Sequence, residues 1–555
     1  MIVYQVFTRL FGADGQTLVE GGTKAQNGCG TMAAFTDRAL GEIRALGATH
    51  VWYTGIIEHA TKTDYTAYGI TPDNHTVVKG EAGSPYAIKD YYDVDPDLAT
   101  DVNARMKEFE KLVIRTHHAG MGVIMDFVPN HVARQYHSDA KPKCVRDLGE
   151  DDDTTYHFSP SNNFYYLWDR LHTDNIPIMP ADRGTYIEMP AKATGNDRFS
   201  EWPSADDWYE TVKLNYGVDI LGGRTTHFDP LPDTWNKMTD ILLYWAAKGI
   251  DGFRCDMAEM VPVEFWHYAI ARVKEKYPDM IFIAEVYNPA EYRSYISYGG
   301  FDYLYDKVGL YDTLKAVIAG DSTHRITQAW QAVDDIRDHM LNFLENHDEQ
   351  RIASDFFAGD ARKGKAALIV SALMSRAPYM QYFGQELGEK GMDKEGFSGR
   401  DGRTTIFDYW SVDTVRRWRN GGRFGSKLLT EEEKSLREFT GKVLSIKEES
   451  EAMRTGDFYD LMYVNGHLHR QYAFVRRHGR EQWLVIANFS ERTEKVSIHL
   501  PGHIFELYGM KQQKTRKGTD IISGRKLTIP WNADEPVETD VDGYSGVIIK
   551  LSSTR

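Results

Sequence analysis

Four short segments of the sequence place acids, histidines and an arginine at the ends of apolar runs. These segments are GVIMDFVPNH (122–131), GFRCDMAEM (252–260), IFIAEVY (281–287) and FLENHDEQR (343–351). Charged groups at the ends of buried strands are unfavourable unless they are paired or take part in chemistry. Acids that recur in this way, from segments far apart in the chain, indicate a site where carboxyl groups attack a substrate and exchange protons with it.

Asp256 and Glu285 are the residues that we predict to carry out this chemistry. Arg254 lies two residues before Asp256, so both side chains point to the same face of a strand. Its guanidinium is expected to lower the pKa of Asp256 and to keep the carboxylate ionised as a nucleophile. Glu285 stands among apolar residues, which should raise its pKa and suit a general acid that later acts as a base. Two carboxyl groups about 5 Å apart would cleave a glycosidic bond with retention of configuration.

Asp348 and two histidines complete the predicted site. Asp348 is expected to stabilise an oxocarbenium-like transition state, and His131 and His347 to donate hydrogen bonds that strengthen as charge develops. Taken singly, each histidine is more often a core residue, and Asp256 with Arg254 is about as often a structural ion pair as a functional one. The occurrence of all four segments in one chain favours a catalytic site.

The elements that must position these residues follow a regular alternation. Apolar, β-branched runs predict strands at 2–7, 49–55, 122–128, 252–257, 281–286, 301–306, 340–346 and 377–383. Amphipathic patterns, such as those at 101–120 and 430–453, predict helices between and after them. Eight strands alternating with helices favour an α/β fold, the closed (β/α)8 TIM barrel, whose active site lies at the C-terminal ends of the strands. The four segments follow strands 3, 4, 5 and 7, so their polar residues should converge.

Two parts of the chain do not fit the barrel pattern. Residues 131–225 are rich in Asp, Asn, Ser and Pro and are too long for a single connection, so we predict an inserted small domain after strand 3. After about residue 455 only strand patterns occur, which predicts a C-terminal antiparallel β-sandwich over 455–555. The barrel is then predicted to comprise 1–130 and 226–454.

Composition excludes several classes of function. The 555-residue chain has a net charge of −16, which argues against a nucleic-acid partner. Its three scattered cysteines form neither a disulfide framework nor a zinc site. Apolar stretches are too short for membrane insertion. The sequence starts without a basic leader, which predicts a cytoplasmic protein; a periplasmic or secreted protein whose export signal had been removed would look the same. The oligomeric state is not indicated.

Together the four segments resemble the four signature regions of the α-amylase family, glycoside hydrolase family 13. The motifs DxxxNH, GxRxD, a single Glu after a strand and NHD occur in the family's order. The resemblance implies that Asp256 is the nucleophile, Glu285 the acid/base and Asp348 the transition-state stabiliser. SPYAIKDYY (84–92) resembles the segment whose tyrosine stacks on the sugar. The remaining roles implied are substrate binding by Tyr86, His131, Arg254 and His347, and structural support by Asp126 and Asn130.

Two further segments indicate the subgroup and bear on metal binding. TVKLN (211–215) resembles the MPKLN segment of neopullulanases, cyclomaltodextrinases and maltogenic amylases, and DMAEM (256–260) resembles their DVANE. Where calcium-binding amylases carry an aspartate, this chain has Lys213. Its ammonium could replace the charge of the ion, which puts the usual inter-domain calcium site in doubt. We expect no cofactor for the chemistry; a structural Ca²⁺ with Asn130 as one ligand is the alternative.

The leading prediction is a retaining hydrolase of α-glucans that cleaves α-1,4 bonds, and α-1,6 bonds as a second possibility. The first alternative is a transglycosylase on the same scaffold, in which a sugar hydroxyl replaces water as the attacking group. The second is a non-catalytic glucan-binding protein, which should have lost a catalytic acid, and none is lost. The third is a metal-dependent hydrolase with DxxxNH as ligands, which a chelator would inactivate. The expected partner in the leading case is an α-glucan oligo- or polysaccharide.

Overall fold

The computed structural model of the chain describes residues 1–394, 396 and 399–552. Its centre is a closed barrel of eight parallel strands in which neighbours in the chain are neighbours in the sheet, and the eighth strand pairs with the first. Every barrel strand that we predicted is present, and each lies within its predicted range. In chain order these first to eighth barrel strands are Ile2–Phe7, His50–Thr54, Gly122–Phe127, Gly252–Cys255, Ile281–Ala284, Tyr303–Tyr305, Met340–Phe343 and Tyr379–Tyr382.

Helices alternate with the barrel strands and cover their outer side. The predicted helix at 101–120 forms over Arg105–His118, and the one at 430–453 forms over Glu431–Glu449 and Glu451–Arg454. None of the helices in the described part of the chain is both long and apolar enough to cross a bilayer. The other α-helices are Thr8–Phe11, Lys24–Asn27, Asp37–Ala45, Asp233–Ala246, Val263–Lys276, Tyr292–Ser297, Asp312–Ala319, His324–Gln331, Gly364–Leu373, Asp413–Arg419 and Gly502–Leu507.

The barrel interior is filled by large side chains from seven of its eight strands. The cluster consists of Val3, Trp52, Ile124, Ile283, Tyr305, Leu341, Phe343 and Met380, with Tyr311 beside them. The fourth strand contributes Arg254, whose guanidinium carbon lies 5.2 Å from the ring centre of Trp52 and 5.5 Å from that of Tyr305. Cation–π contacts of this kind help a buried arginine to remain charged. The guanidinium of Arg254 therefore lies at the edge of the packed interior that is nearest to the C-terminal ends of the strands.

Residues 131–225, predicted as an inserted domain, form few regular elements. His131–Ala133 pairs antiparallel with Thr211–Lys213, and Val218–Asp219 pairs with Thr225–Thr226. The first pairing returns the chain at residues 211–213 to the strand that follows the third barrel strand, so residues 134–210 form a long excursion from the barrel. A further antiparallel pair, Ile57–His59 with Ile88–Val94, lies in the connection after the second barrel strand.

After the last barrel helices the chain forms antiparallel sheets. One sheet has six strands and another has two. The predicted class, a TIM barrel followed by antiparallel strands, is confirmed. The division into three domains at the stated bounds stays a prediction, and residues 553–555 lie outside the described residues. The strands are Asp457–Asp460, Gln471–His478, Glu481–Asn488, Glu494–Ile498, Gln513–Asp520, Lys526–Trp531, Val537–Val541 and Ser545–Leu551.

Candidate active site

The ends of the barrel strands bring the three predicted catalytic acids to one pocket. Asp256 directly follows the fourth barrel strand, Glu285 directly follows the fifth, and Asp348 lies in the connection after the seventh. All three line a cavity of about 260 Å³, together with Tyr86 and His131. Parallel strands in a closed barrel end at the same mouth, which explains how residues far apart in sequence meet here.

Arg254 joins two of the three acids. It is fully buried, and its Nη1 donates a hydrogen bond of 2.7 Å to Oδ1 of Asp256. Its Nη2 lies 2.7 Å from Oε2 of Glu285, an ion pair that the sequence did not indicate. Nη1 is also 3.4 Å from Oδ1 of Asp126. One guanidinium therefore holds the carboxyl groups of Asp256 and Glu285 side by side.

The pKa values of the acids are set mainly by burial. Burial raises the pKa of Asp256, and the opposing charge of Arg254 does not cancel that rise. Arg254 does lower the pKa of Asp256, as expected, but the loss of solvation has the larger effect, because the cation is shared with a second acid. Burial also raises the pKa of Glu285, and burial together with the charge of Glu285 raises the pKa of Asp348. Such a cluster favours keeping one carboxyl group protonated beside an ionised one.

Glu285 is less isolated than its apolar sequence context predicted. The backbone N–H of Met257 donates to its Oε2 at 2.9 Å, and the hydroxyl of Tyr287 donates to its Oε1. The backbone N–H of Tyr287 donates a hydrogen bond of 2.9 Å to Oε2 of Glu259, and this contact helps to position Tyr287. The only signal for Tyr287 in the sequence is its position two residues after Glu285, on the same side of an extended chain.

Tyr86, His347 and Asp126 form a connected layer beside the acids. The hydroxyl of Tyr86 lies 2.6 Å from Nε2 of His347, and the two rings stack with centroids 5.1 Å apart. Gln5 lies 2.9 Å from the other ring nitrogen, and burial lowers the pKa of His347, so the ring is neutral. Oδ2 of Asp126 accepts a 2.9 Å hydrogen bond from the indole of Trp52. Asp126 thus lies where structural support was predicted, and Tyr86 lies where it can meet a substrate.

His131 and Asn130 connect the barrel with the segment at 131–225. His131 lines the pocket beside Trp208, with ring centroids 5.2 Å apart. Burial and the nearby Lys213 lower the pKa of His131 to about 3, so the imidazole is neutral. The side-chain amide of Asn130 donates to the carbonyl of Gly195 at 2.8 Å, and its oxygen accepts a hydrogen bond from the ammonium of Lys213. Asn130 therefore has structural partners on both sides.

The ammonium of Lys213 contacts oxygen atoms that a hard cation could use as ligands between the barrel and the segment at 131–225. Besides Asn130, its ammonium lies 2.8 Å from Oδ1 of Asp197 and 3.3 Å from the carbonyl oxygen of Met260. An amide, a carboxylate and a backbone carbonyl are typical calcium ligands. Because all three already contact the ammonium, the amide oxygen of Asn130 is engaged without a metal.

A second group of acids could also hold a cation, away from the pocket. Glu58, Asp90 and Asp93 are buried, and each offers a carboxylate oxygen within 4.8 Å of the others. Arg105 pairs with Asp93, and the ammonium of Lys89 lies 3.9 Å from Glu58. These two cations already supply positive charge to the group.

Several residues that line the pocket were missed by the motif analysis. They come from connections between barrel strands and from the segment at 131–225, which have no strand or helix period to mark an inward-facing position. Glu210 could have been found only because it directly precedes TVKLN. The residues concerned are Lys79, Trp208, Glu210, Tyr287 and Phe407.

Comparison with known sequences gives matches over most of the barrel. The family model described as alpha amylase, catalytic domain, matches residues 5–425. Alpha-amylase 3 of Dictyoglomus thermophilum is 24% identical over 394 residues, which cover 67% of this chain and 68% of that protein. A cyclomaltodextrinase of Geobacillus thermopakistaniensis is 22% identical over 455 residues, which cover 80% of this chain and 63% of that protein. The chain thus spans about two thirds of the length of these relatives.

Solved structures agree with the fold. The crystal structure of a maltogenic α-amylase, AmyB from Thermotoga neapolitana, matches with a TM-score of 0.63 and 18% sequence identity. The match covers 100% of this chain and 99% of that one. At this level of identity the likeness shows a shared fold.

Proposed function

Because the chain belongs to the α-amylase family of glycoside hydrolases, we propose that it hydrolyses α-1,4-glucosidic bonds of starch, maltooligosaccharides or related α-glucans with retention of configuration. The resemblance of the four motif segments to this family is confirmed by the match over residues 5–425. One observation carries the proposal: Arg254 holds Asp256 and Glu285 side by side in a pocket that Asp348 also lines.

In the proposed reaction, Asp256 attacks the anomeric carbon while protonated Glu285 donates its proton to the leaving oxygen. The glycosidic bond breaks and a covalent glycosyl–enzyme forms through the Asp256 carboxylate. Glu285, now ionised, then takes a proton from water as the water oxygen attacks the same carbon, and Asp256 is released. The pKa of Glu285, raised by burial, supports its protonated starting form. Asp348 is assigned the stabilisation of positive charge on the sugar ring.

Product analysis tests the substrate and the stereochemistry. Starch, maltotriose, a cyclodextrin and pullulan are incubated with the protein, and products are resolved by chain length and by anomer. We expect shorter glucans that are released first as the α-anomer. Release of the β-anomer first would refute retention, and products longer than the substrate that increase with acceptor concentration would identify a transglycosylase. Bound but intact glucan would identify a binding protein.

Substitution of the acids tests their roles. Asp256→Asn and Glu285→Gln should each lower kcat on the order of 10³-fold or more, because each removes a group needed to stabilise the transition state. Asp251→Asn is the matched control. Asp251 directly precedes the first residue of the fourth barrel strand, at the end of the strand away from the pocket, and it pairs with His117. Circular dichroism should show that all three variants fold. Near-normal turnover by either acid variant would contradict the assignment.

We further propose that Lys213 takes the place of a structural calcium ion between the barrel and the segment at 131–225. The support is that its ammonium contacts the oxygen atoms of Asn130, Asp197 and Met260. Thermal unfolding measured with and without a chelator tests this proposal. The midpoint should not change, and a clear decrease would show that a bound ion stabilises the fold.

A further inference from the structure

Glu210 is a fourth carboxyl group in the catalytic pocket, outside the motifs that identify the family. It directly precedes the short strand Thr211–Lys213 and lines the same cavity as Asp256 and Glu285. Its side chain belongs to a residue that is only 4% exposed. Its Oε2 is buried and has no hydrogen-bond partner among the residues that the structure describes.

Native folds pair most buried polar groups, but other carboxylates in the described part of this chain, such as those of Glu58 and Glu386, also have a buried oxygen without a hydrogen-bond partner. Glu188, in the same segment, shows the usual situation: its carboxylate accepts hydrogen bonds from Arg134, Tyr186 and the N–H of Lys192, each at 2.7 Å. Burial raises the pKa of Glu210, and the charge of Lys79, the residue's own backbone N–H and the charge of Arg134 oppose this rise without cancelling it. Glu210 differs from these carboxylates in lining the catalytic pocket, where a ligand in the cavity can contact its side chain.

The surroundings of Glu210 indicate what kind of ligand this is. Lys79 lines the same pocket and has its ammonium 4.8 Å from the ring centre of Phe407. Trp208 lies two residues before Glu210 and also lines the pocket. The pocket wall therefore offers a carboxylate acceptor, an ammonium donor and two flat rings. A sugar ring matches this set, because its hydroxyl groups both donate and accept and its C–H face packs on aromatic rings.

We propose that Glu210 determines substrate specificity by accepting hydrogen bonds from hydroxyl groups of a glucose ring that is bound in the catalytic pocket, with Lys79 donating to the same ring. The inference rests on the function proposed above and adds a binding residue to it. A neutral sugar can donate hydrogen bonds to the carboxylate of Glu210 without bringing a further charge into the pocket. An anionic sugar would be repelled by the carboxylates of the pocket.

Steady-state kinetics on maltooligosaccharides tests this role. Glu210→Ala should raise KM about 10- to 100-fold, the range expected when a hydrogen bond to a charged group is lost, while kcat changes little. Glu210→Gln keeps one acceptor oxygen and should have a smaller effect. Substrate analogues that each lack one hydroxyl group locate the contact. The analogue without the hydroxyl that Glu210 binds should have a lower affinity than the parent sugar for the wild-type protein. For Glu210→Ala, this analogue and the parent sugar should have equal affinities.

Thermal unfolding without ligand separates this role from a structural one. Glu210→Gln removes a buried charge that forms no ion pair within the described part of the chain, so its unfolding midpoint should rise, whereas loss of a structural contact would lower it. Glu58→Gln is the matched control, because Glu58 is 1% exposed and its Oε2 also has no partner among the described residues, but it does not line the pocket. Its KM should stay at the wild-type value.

The outcomes distinguish this inference from the function on which it rests. An unchanged KM in folded Glu210→Ala, a fall in kcat alone, or an equal KM increase in Glu58→Gln would overturn the role of Glu210, while hydrolysis by wild type still supports the enzyme. Failure of wild type to cleave any of the α-glucans tested would instead overturn the proposed function. Binding measured by calorimetry with maltoheptaose in an Asp256→Asn background should show the same weakening on Glu210→Ala, and equal affinities would refute it.

Discussion

Removal of the Tyr287 hydroxyl should extend catalysis to higher pH. This hydroxyl donates a hydrogen bond to Oε1 of Glu285, and a donor to a carboxylate favours the ionised form and lowers its pKa. Tyr287→Phe keeps the ring and removes the donor, so the pKa of Glu285 should rise. Because the acid must be protonated when the reaction starts, activity should then persist to higher pH than in wild type.

The size of this shift follows from the contacts that remain. Glu285 keeps the N–H of Met257 at 2.9 Å and Nη2 of Arg254 at 2.7 Å, so one of three favourable contacts is lost. A hydrogen bond to a charged group contributes about 1.5–3 kcal/mol, and about 1.4 kcal/mol corresponds to one pKa unit. Water entering the pocket should replace part of the contact, so we expect a rise of about one unit. Asp256 and Asp348 titrate in the same cluster, so the shift belongs to the group as a whole.

The assay is kcat/KM for a maltooligosaccharide as a function of pH. The alkaline limb of the profile should move to higher pH in Tyr287→Phe. Tyr295→Phe is the control, because its hydroxyl donates to the carbonyl of Val261 at 2.8 Å and makes no contact with Glu285. An alkaline limb that coincides with wild type, or that moves to lower pH, in a folded Tyr287→Phe variant would refute the reasoning.

Three further substitutions test the surroundings of the acids. Lys213→Ala should lower the free energy of unfolding by about 1–3 kcal/mol, because the buried amide oxygen of Asn130 loses its donor, while water can solvate the partly exposed carboxylate of Asp197; a urea unfolding curve that matches wild type would contradict this. Arg254→Lys should lower kcat about 100-fold, because one ammonium cannot hold both acids in the geometry of a guanidinium, and near-normal kcat would count against the bridge. Tyr86→Phe removes the 2.6 Å contact with His347 and should lower kcat/KM about tenfold, whereas an unchanged value would show that this contact does not position the substrate.

Local sequence patterns determined the barrel and the acids at its mouth. Apolar runs such as 281–286 and the helical period of 101–120 reflect only which side of an element is buried, and both elements formed as predicted. Asp256 and Glu285 could be identified because each directly follows such a run. A closed parallel barrel then leaves one place for them to meet, since all strands end at the same mouth.

Only the tertiary structure decided which groups these acids contact and how deeply they are buried. The bridge from Arg254 to Glu285 joins neighbouring barrel strands, and Glu210 enters the pocket from the segment at 131–225. The raised pKa of Asp256 arises because desolvation depends on every element that covers the carboxyl group, whereas the sequence showed a single nearby cation. Contacts between distant segments and the exclusion of water are properties of the packed chain, so no local pattern could contain them.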